Sequence, residues 1–97
     1  MNAVLNIYKD CTSEEPTKSY VCKRLLLGVS KKVQALSEAA NGKSEEEQNQ
    51  ITLDVLKTIF PEFENEDFDY IDPVEYFTFI QEIAKETNKI MANAVKN

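Results

Sequence analysis

The chain has 97 residues, of which 42% are hydrophobic and 29% charged, and its formal net charge is −6 at pH 7. This length accommodates one domain with a modest core, which leaves little room for a deep substrate cleft. The acidic balance argues against binding of nucleic acid through its phosphates, because that mode of binding requires clustered Lys and Arg side chains.

A β-hairpin is predicted for the N-terminal residues 3–27. The segments AVLNIY (3–8) and KSYVCKRLLL (18–27) are rich in β-branched and aromatic residues, which favour strands. A cluster of turn-forming residues that includes Pro16 separates them. Because an isolated pair of strands is marginally stable, we expect the hairpin to pack against the helices that follow.

The two cysteines, Cys11 and Cys22, have a spacing that matches no metal motif. A hairpin that turns near residues 16 and 17 would place them opposite each other, so a disulfide is geometrically allowed. In a reducing cytosol thiols stay reduced, and we therefore expect two free thiols.

Two helices are predicted over residues 28–41 and 44–60, each with apolar residues at the spacing of one buried face. Gly42 provides the stop between them, because glycine adopts the left-handed conformation without a Cβ clash. Ser44 and Glu47 form a capping box, in which Ser44 accepts from the Glu47 amide and the Glu47 carboxylate reaches back to the N-cap amide. The predicted buried positions are Val29, Val33, Leu36 and Ala40 in the first helix and Ile51, Val55, Leu56, Ile59 and Phe60 in the second.

Residues 61–73, which we term the acidic connector, hold six carboxylates and four large apolar side chains but no Lys or Arg. Pro61 ends the second helix. We expect the carboxylates to stay in solvent and the apolar side chains to pin the connector to the core. The side chains expected in this cluster are Phe63, Phe68 and Ile71, extended by Phe60 and Tyr70.

A third helix is predicted over residues 72–95, because Asp72 suits the N-cap and Pro73 the first helical position. It carries two neighbouring apolar ridges, Phe77, Ile80, Ala84 and Met91 on one and Tyr76, Ile83, Ile90 and Ala94 on the other. The predicted fold is mainly α (α+β): a single domain over residues 1–97, in which an N-terminal β-hairpin packs on a three-helix bundle with a short acidic connector before the last helix.

The residue types that are absent exclude several kinds of active site. The sequence contains no His, which excludes serine or cysteine triads and most zinc sites. Its two glycines cannot form a glycine-rich phosphate loop. A calcium loop read from Asp67 lacks the Gly and the final Glu that such loops require. We therefore expect no catalytic residue, no metal site and no cofactor, and keep a cation-dependent enzyme based on Asp67, Asp69 and Asp72 only as a rival hypothesis.

Charge is strongly segregated along the chain. Residues 16–37 contain five basic residues and no acid, whereas residues 62–75 contain seven acids and no base. Either the two regions face each other within the domain, or one or both face a partner. Complementarity of this kind affects association rate and register more than affinity.

Two long segments resemble a known family. IYKDCTSEEPTKSYVCKRLLLGVSKKVQALSE (7–38), followed by LDVLKTIFPEFENEDFDYIDPVEYFTFIQEI (53–83), resembles the tail assembly chaperones of long-tailed (siphovirus-type) phages and prophages of Gram-positive bacteria. The resemblance lies in the TK-x-Y-x-C-[KR]-R strand, in LK-x-IFP at a helix end, and in EDF-x-YID before the last helix.

The resemblance implies a small, non-enzymatic, mostly helical protein of phage tail morphogenesis. Such a chaperone binds the tape-measure protein, keeps it soluble and recruits the major tail-tube protein until polymerisation displaces the chaperone. The implied location is the cytoplasm of the bacterial host, with no place in the mature virion. The start of the chain lacks the pattern of a signal peptide and no apolar run approaches the ~20 residues of a membrane span, so the sequence itself also favours the cytoplasm.

The family supplies no universal binding residue, so we assign the partner surface from the chain itself. It combines the apolar face of the last helix with two charged patches, and self-association is an additional option. The residues are Phe77, Phe79 and Met91 on the helix, Glu64, Glu66, Asp67 and Asp69 in the acidic connector, and Lys23 and Arg24 in the hairpin. The alternative function is that of a small acidic inhibitor or nucleic-acid mimic that acts on a host enzyme.

Overall fold

The computed structural model describes residues 1–96, with side chains described as far as Ile90 and again at Ala92. Two strands are followed by two helices, a short 3-10 helix and a long last helix. Their bounds are β1 Ala3–Ile7, β2 Lys18–Cys22, α1 Leu27–Ala39, α2 Glu45–Ile59, the 3-10 helix Asn65–Tyr70 and α3 Pro73–Lys96. The predicted fold, a hairpin followed by helices with a connector before the last one, is confirmed.

The hairpin lies with one face on the helices. β1 and β2 are antiparallel, with Leu5 opposite Tyr20 and Val4 opposite Val21. Leu5 is fully buried, whereas Val4 and Val21 are 42% and 44% exposed, as expected for a sheet with one packed and one solvated face. On the far side of β1, Ile7 forms an isolated bridge with Ile71 of the acidic connector.

The register of the hairpin rules out the disulfide that the sequence allowed. Cys22 lies opposite Ala3, at the end of the ladder farthest from the loop that contains Cys11. Both cysteines are free; Cys11 is exposed and Cys22 is buried. Burial raises the pKa of the Cys22 thiol, which keeps it protonated and unreactive at neutral pH.

The helix ends follow the predicted signals, with one difference. The Ser44 hydroxyl accepts from the Glu47 amide at 3.2 Å, but the Glu47 carboxylate accepts from the Ser44 hydroxyl rather than from the N-cap amide. Gly42 adopts a φ of +77° after α1, a conformation that glycine tolerates best. Asp72 caps α3, because its Oδ1 accepts from the Val74 amide at 2.8 Å.

The core lies between the inner face of the hairpin and the helices. Its largest fully buried side chains are Phe79, Leu5, Leu56 and Ile83. A chain of aromatic rings crosses it, with centroids 5.0 Å apart between Tyr20 and Phe63, 5.4 Å between Tyr20 and Phe60, and 5.6 Å between Phe60 and Phe79. The hairpin, the connector and α3 therefore share one apolar cluster.

The predicted apolar cluster of the connector is largely confirmed. Phe63 and Phe60 are buried, and the half-buried Phe68 and Ile71 pack against them. Tyr70 is the exception, since its side chain is 49% exposed. Its backbone carbonyl, not its ring, attaches it to the domain by accepting from the Tyr8 amide at 3.0 Å.

Although α3 has 24 residues, no helix within the described residues 1–96 combines the length and hydrophobicity needed to cross a membrane.

Ser30 on α1 is fully buried, and its hydroxyl has no hydrogen-bond partner among the described residues. A buried hydroxyl without a partner destabilises a protein, and alanine has the higher helix propensity. We therefore expect Ser30→Ala to raise the free energy of unfolding by up to about 1 kcal/mol, measured by urea denaturation. A loss of stability would show that the Ser30 hydroxyl has a hydrogen-bond partner in solution.

Phe79 and Phe77 provide a matched pair of aromatic residues on α3. Phe79 is 2% exposed and Phe77 is 63% exposed. We expect Phe79→Ala to lower the free energy of unfolding by about 3–5 kcal/mol because it opens a cavity, and Phe77→Ala to change it by less than about 1 kcal/mol. Urea denaturation with intrinsic tyrosine fluorescence measures both; equal effects would contradict the assignment of Phe79 to the core.

Candidate functional site

An open groove of about 380 Å³ lies between α1, α2 and α3. Buried aliphatic side chains form its floor, and uncharged polar side chains, among them Gln34, Thr52 and Asn88, also line it. Residues that line it include Val33 and Ala40 of α1, Ile51 and Val55 of α2, and Ile80 and Ala84 of α3. None of the described residues that line the groove is charged, although 29% of the chain is charged. The groove is therefore suited to an apolar partner.

Small side chains keep the groove open. Ser37 and Ala40 on α1 face the same space as Ala84 on α3, and none of them is long enough to bridge it. The three helices are each amphipathic, and their stripes meet at the floor of the groove through Val33, Val55 and other buried residues. The groove consequently stays open because short side chains lie at the edges of the apolar faces of the helices.

An exposed ridge on α3 continues the apolar surface beyond the groove. Val74 and Phe77 are 75% and 63% exposed, and they lie on the same side of the helix as Ile80 and Ala84, which line the groove. We call the four residues Val74, Phe77, Ile80 and Ala84 the α3 ridge. Phe77 is thus available for contact, in keeping with its place in the predicted partner surface.

The prediction that Phe79 belongs to the partner surface is wrong. Phe79 follows Phe77 by two positions, which turns it about 200° around the helix axis. Its ring points into the core, where it lies 5.6 Å from the ring of Phe60. The side chain of Met91, the third apolar residue assigned to this surface, lies outside the described part of the chain.

Asp67 in the acidic connector is also not the solvated, partner-facing carboxylate that the sequence suggested. It is 8% exposed, and its Oδ2 accepts from the Lys18 ammonium at 2.6 Å and from the Tyr20 hydroxyl at 2.7 Å. Lys18 and Tyr20 are two positions apart on β2 and therefore point to the same face of the strand, where both reach the Asp67 carboxylate. Asp67 therefore fixes the connector to the hairpin.

Two groups of this cluster, Lys18 and Tyr20, have a raised pKa. The hydrogen bond from Lys18 to Asp67 raises the pKa of Lys18, so the ammonium is charged at neutral pH. Burial, followed by the hydrogen bond to Asp67, raises the pKa of Tyr20, so its hydroxyl stays protonated and donates. Lys18 also contacts Glu64 at 3.3 Å, but the Glu64 side chain is 60% exposed, and such a pair contributes little.

The other charged residues of the predicted surface are exposed. Glu66 and Asp69 lie on the solvent side of the connector, and Lys23 and Arg24 follow β2. Within the described residues no ion pair joins Lys23 or Arg24 to the connector. Among the described residues, ion pairs between the acidic and basic regions are therefore made by Lys18 alone, with Glu64 and Asp67.

One further polar contact, which no sequence pattern indicated, positions the start of α3. The Tyr8 hydroxyl lies 2.7 and 3.0 Å from the two carboxylate oxygens of Glu75, and the Asn6 amide donates to the same carboxylate at 3.1 Å. The hydrogen bond to Glu75 raises the pKa of Tyr8. These partners are 67 or more positions apart, so only folding reveals the contact, which holds the α3 ridge in place.

The described residues contain no group of three or more carboxylates or thiols placed to hold a metal ion.

Comparison of the chain with protein-family models, with curated proteins and with solved structures found no match.

Substitution of two acids of the connector tests whether the buried Asp67 stabilises the fold and the exposed Asp69 does not. Asp67→Asn removes a charge-assisted hydrogen bond in a buried place, and we expect it to lower the free energy of unfolding by about 2 kcal/mol. Asp69→Asn removes a carboxylate on the exposed side of the same 3-10 helix and should change stability by less than about 0.5 kcal/mol. Urea denaturation at pH 7 measures both, and equal losses would show that Asp67 has no special structural role.

Proposed function

We propose that this protein is a tail assembly chaperone that binds an apolar helical segment of a phage tape-measure protein in the groove between α1, α2 and α3. The observation that carries the proposal is a groove without charged residues, continued by the exposed α3 ridge, on a chain whose net charge is −6. The resemblance of residues 7–38 and 53–83 to this family supports the same function.

The groove has the properties that a helix-binding site requires. An amphipathic helix binds a groove by placing its apolar residues at successive turns on an apolar floor. Here Val33 and Val55 supply the floor, and Phe77 on the ridge offers a large aromatic contact at the entrance. A tape-measure chain exposes long apolar helical surface before assembly, and such surface aggregates unless it is covered.

The distribution of charge fits a chaperone that must keep its client soluble. The groove and ridge provide apolar contact, while Glu66 and Asp69 of the connector remain in solvent and add negative charge to the complex. Lys23 and Arg24 form a separate exposed basic patch. The proposed function also includes recruitment of tail-tube subunits, for which we assign no individual residue. The shallow, open groove suits reversible binding, because the polymerising tube must displace the chaperone.

The proposed activity is binding without catalysis, in the cytoplasm of the bacterial host and not in the finished virion. The chain has no His, and the one buried carboxylate among the described residues, Asp67, is bound to Lys18 and Tyr20. The same ion pair argues against a nucleic-acid mimic, since it withdraws one carboxylate from the acidic surface and partly neutralises a second at Glu64.

Co-expression with a tape-measure protein encoded beside this chain tests the proposal. We expect the tape-measure protein to be soluble and to co-purify only when this protein is present. If neither its solubility nor its co-purification depends on this protein, the proposed function is wrong.

A matched pair of variants tests the groove itself. Ala84→Glu places a charge at the uncharged rim, where a bound helix would desolvate it, and we expect co-purification to fall by about tenfold or more. Ala35→Glu makes the same change on an exposed position of α1 that does not line the groove, and should leave binding intact. Equal binding by the two variants would place the client elsewhere on the surface.

A further inference from the structure

No strand among the described residues 1–96 pairs with the outer edge of β2, and the hydrogen bonds of β1 show which residues of β2 face this edge. The Tyr8 amide donates to Tyr70 on the connector side of β1, so the even-numbered residues of β1 direct their backbone groups away from β2. The odd-numbered residues of β1 therefore pair with β2, and their partners there are the even-numbered positions 18, 20 and 22. It follows that Ser19 and Val21 direct their amide and carbonyl groups outward.

Nothing among the described residues occupies these outward groups. The sheet has two strands, and β2 pairs with β1 alone. No other backbone hydrogen bond reaches Ser19 or Val21. Proteins commonly protect such an edge with a projecting lysine, but Lys18 is held on the inner face by Asp67 at 2.6 Å. The edge is consequently open to a further strand.

The charges at the two ends of β2 are complementary under a two-fold axis. Glu14 and Glu15 precede the strand and Lys23 and Arg24 follow it, and all four are exposed. When β2 pairs antiparallel with a copy of itself about Tyr20, Ser19 of one chain lies opposite Val21 of the other. In this register Lys23 and Arg24 of one chain lie opposite Thr17 and Pro16 of the other, next to Glu15 and Glu14. The basic end of each strand therefore approaches the acidic end of its neighbour, which favours association and sets the register.

We infer that two copies of this chain associate through their β2 edges to form a four-stranded antiparallel sheet, β1-β2-β2-β1. Ser19 and Val21 of each copy exchange backbone hydrogen bonds with Val21 and Ser19 of the other, about four bonds in all. On the outer face, Val4 and Val21 of each copy then lie side by side, with Ser19 and Asn6 of the other copy next in the same row. No residue of this edge lines the groove, so the dimer goes beyond the proposed function and does not rest on it.

We expect the association to be weak, because a single pair of strands buries a small area. Sedimentation equilibrium at protein concentrations up to about 1 mM measures it. Val21→Pro removes an outward amide that makes no bond within the hairpin, a place where an edge strand tolerates proline. We expect it to weaken dimerisation by at least tenfold, whereas Val21→Thr, which keeps the amide and the branched side chain, should dimerise as the parent does. Circular dichroism establishes that both variants are folded.

Charge reversal tests the register without altering the strand. Lys23→Glu with Arg24→Glu gives a chain that is acidic at both ends of β2, and Glu14→Lys with Glu15→Lys gives one that is basic at both ends. Each variant alone should dimerise about tenfold more weakly than the parent at low salt. An equimolar mixture of the two should form a heterodimer, because every acidic end then meets a basic one.

Two sets of results would overturn the inference. The first is a chain that stays monomeric over the whole concentration range, which would leave the edge to a strand from another protein or to solvent. The second is a dimer that Val21→Pro leaves intact, or charge-reversed variants that fail to associate when mixed. In each case the copies do not meet through β2 in this register.

Discussion

The structure depends on burial of the inner face of a hairpin that could not persist alone. Two strands of five residues each are marginally stable in water, and they need an apolar surface to cover. Leu5 is fully buried, and the Tyr20 ring packs between Phe60 and Phe63. Because Phe60 is the C-cap of α2 and Phe63 lies in the connector, this one contact fixes where the helices lie relative to the strands.

The same packing decides which parts of the chain remain available to a partner. Phe79 is drawn into the core against Phe60, so Phe77, two positions earlier, must point to solvent. The bond between Tyr8 and Glu75 fixes the start of α3, and short residues such as Ala84 leave a groove where α3 passes α1 and α2. An apolar, uncharged surface on an acidic chain is the consequence.

The acidic connector illustrates how polar groups divide between structure and surface. Its apolar residues bring it against β2, and Asp67 then lies within reach of Lys18 and Tyr20. A buried carboxylate without such partners would destabilise the fold by several kcal/mol. The connector can therefore pack against the hairpin only because Asp67 is paired there. The acids on the opposite side of the 3-10 helix, Glu66 and Asp69, stay hydrated. Pairing also holds Lys18 on the inner face of β2, which leaves the outer edge of that strand unprotected.

The order and type of the elements could be predicted from the amino-acid sequence, because strand-forming runs, helix caps and apolar spacing are local properties. The hairpin, the Ser44 and Asp72 caps and the role of Phe63 could all be predicted in this way. The roles of Asp67 and Phe79, the separation of the two cysteines and the existence of the groove depend instead on long-range packing, and no local pattern predicts them. A pattern shows that residues alternate or recur, but not which side of α3 faces the hairpin. That choice depends on contacts between residues tens of positions apart, such as Tyr8 with Glu75 and Lys18 with Asp67.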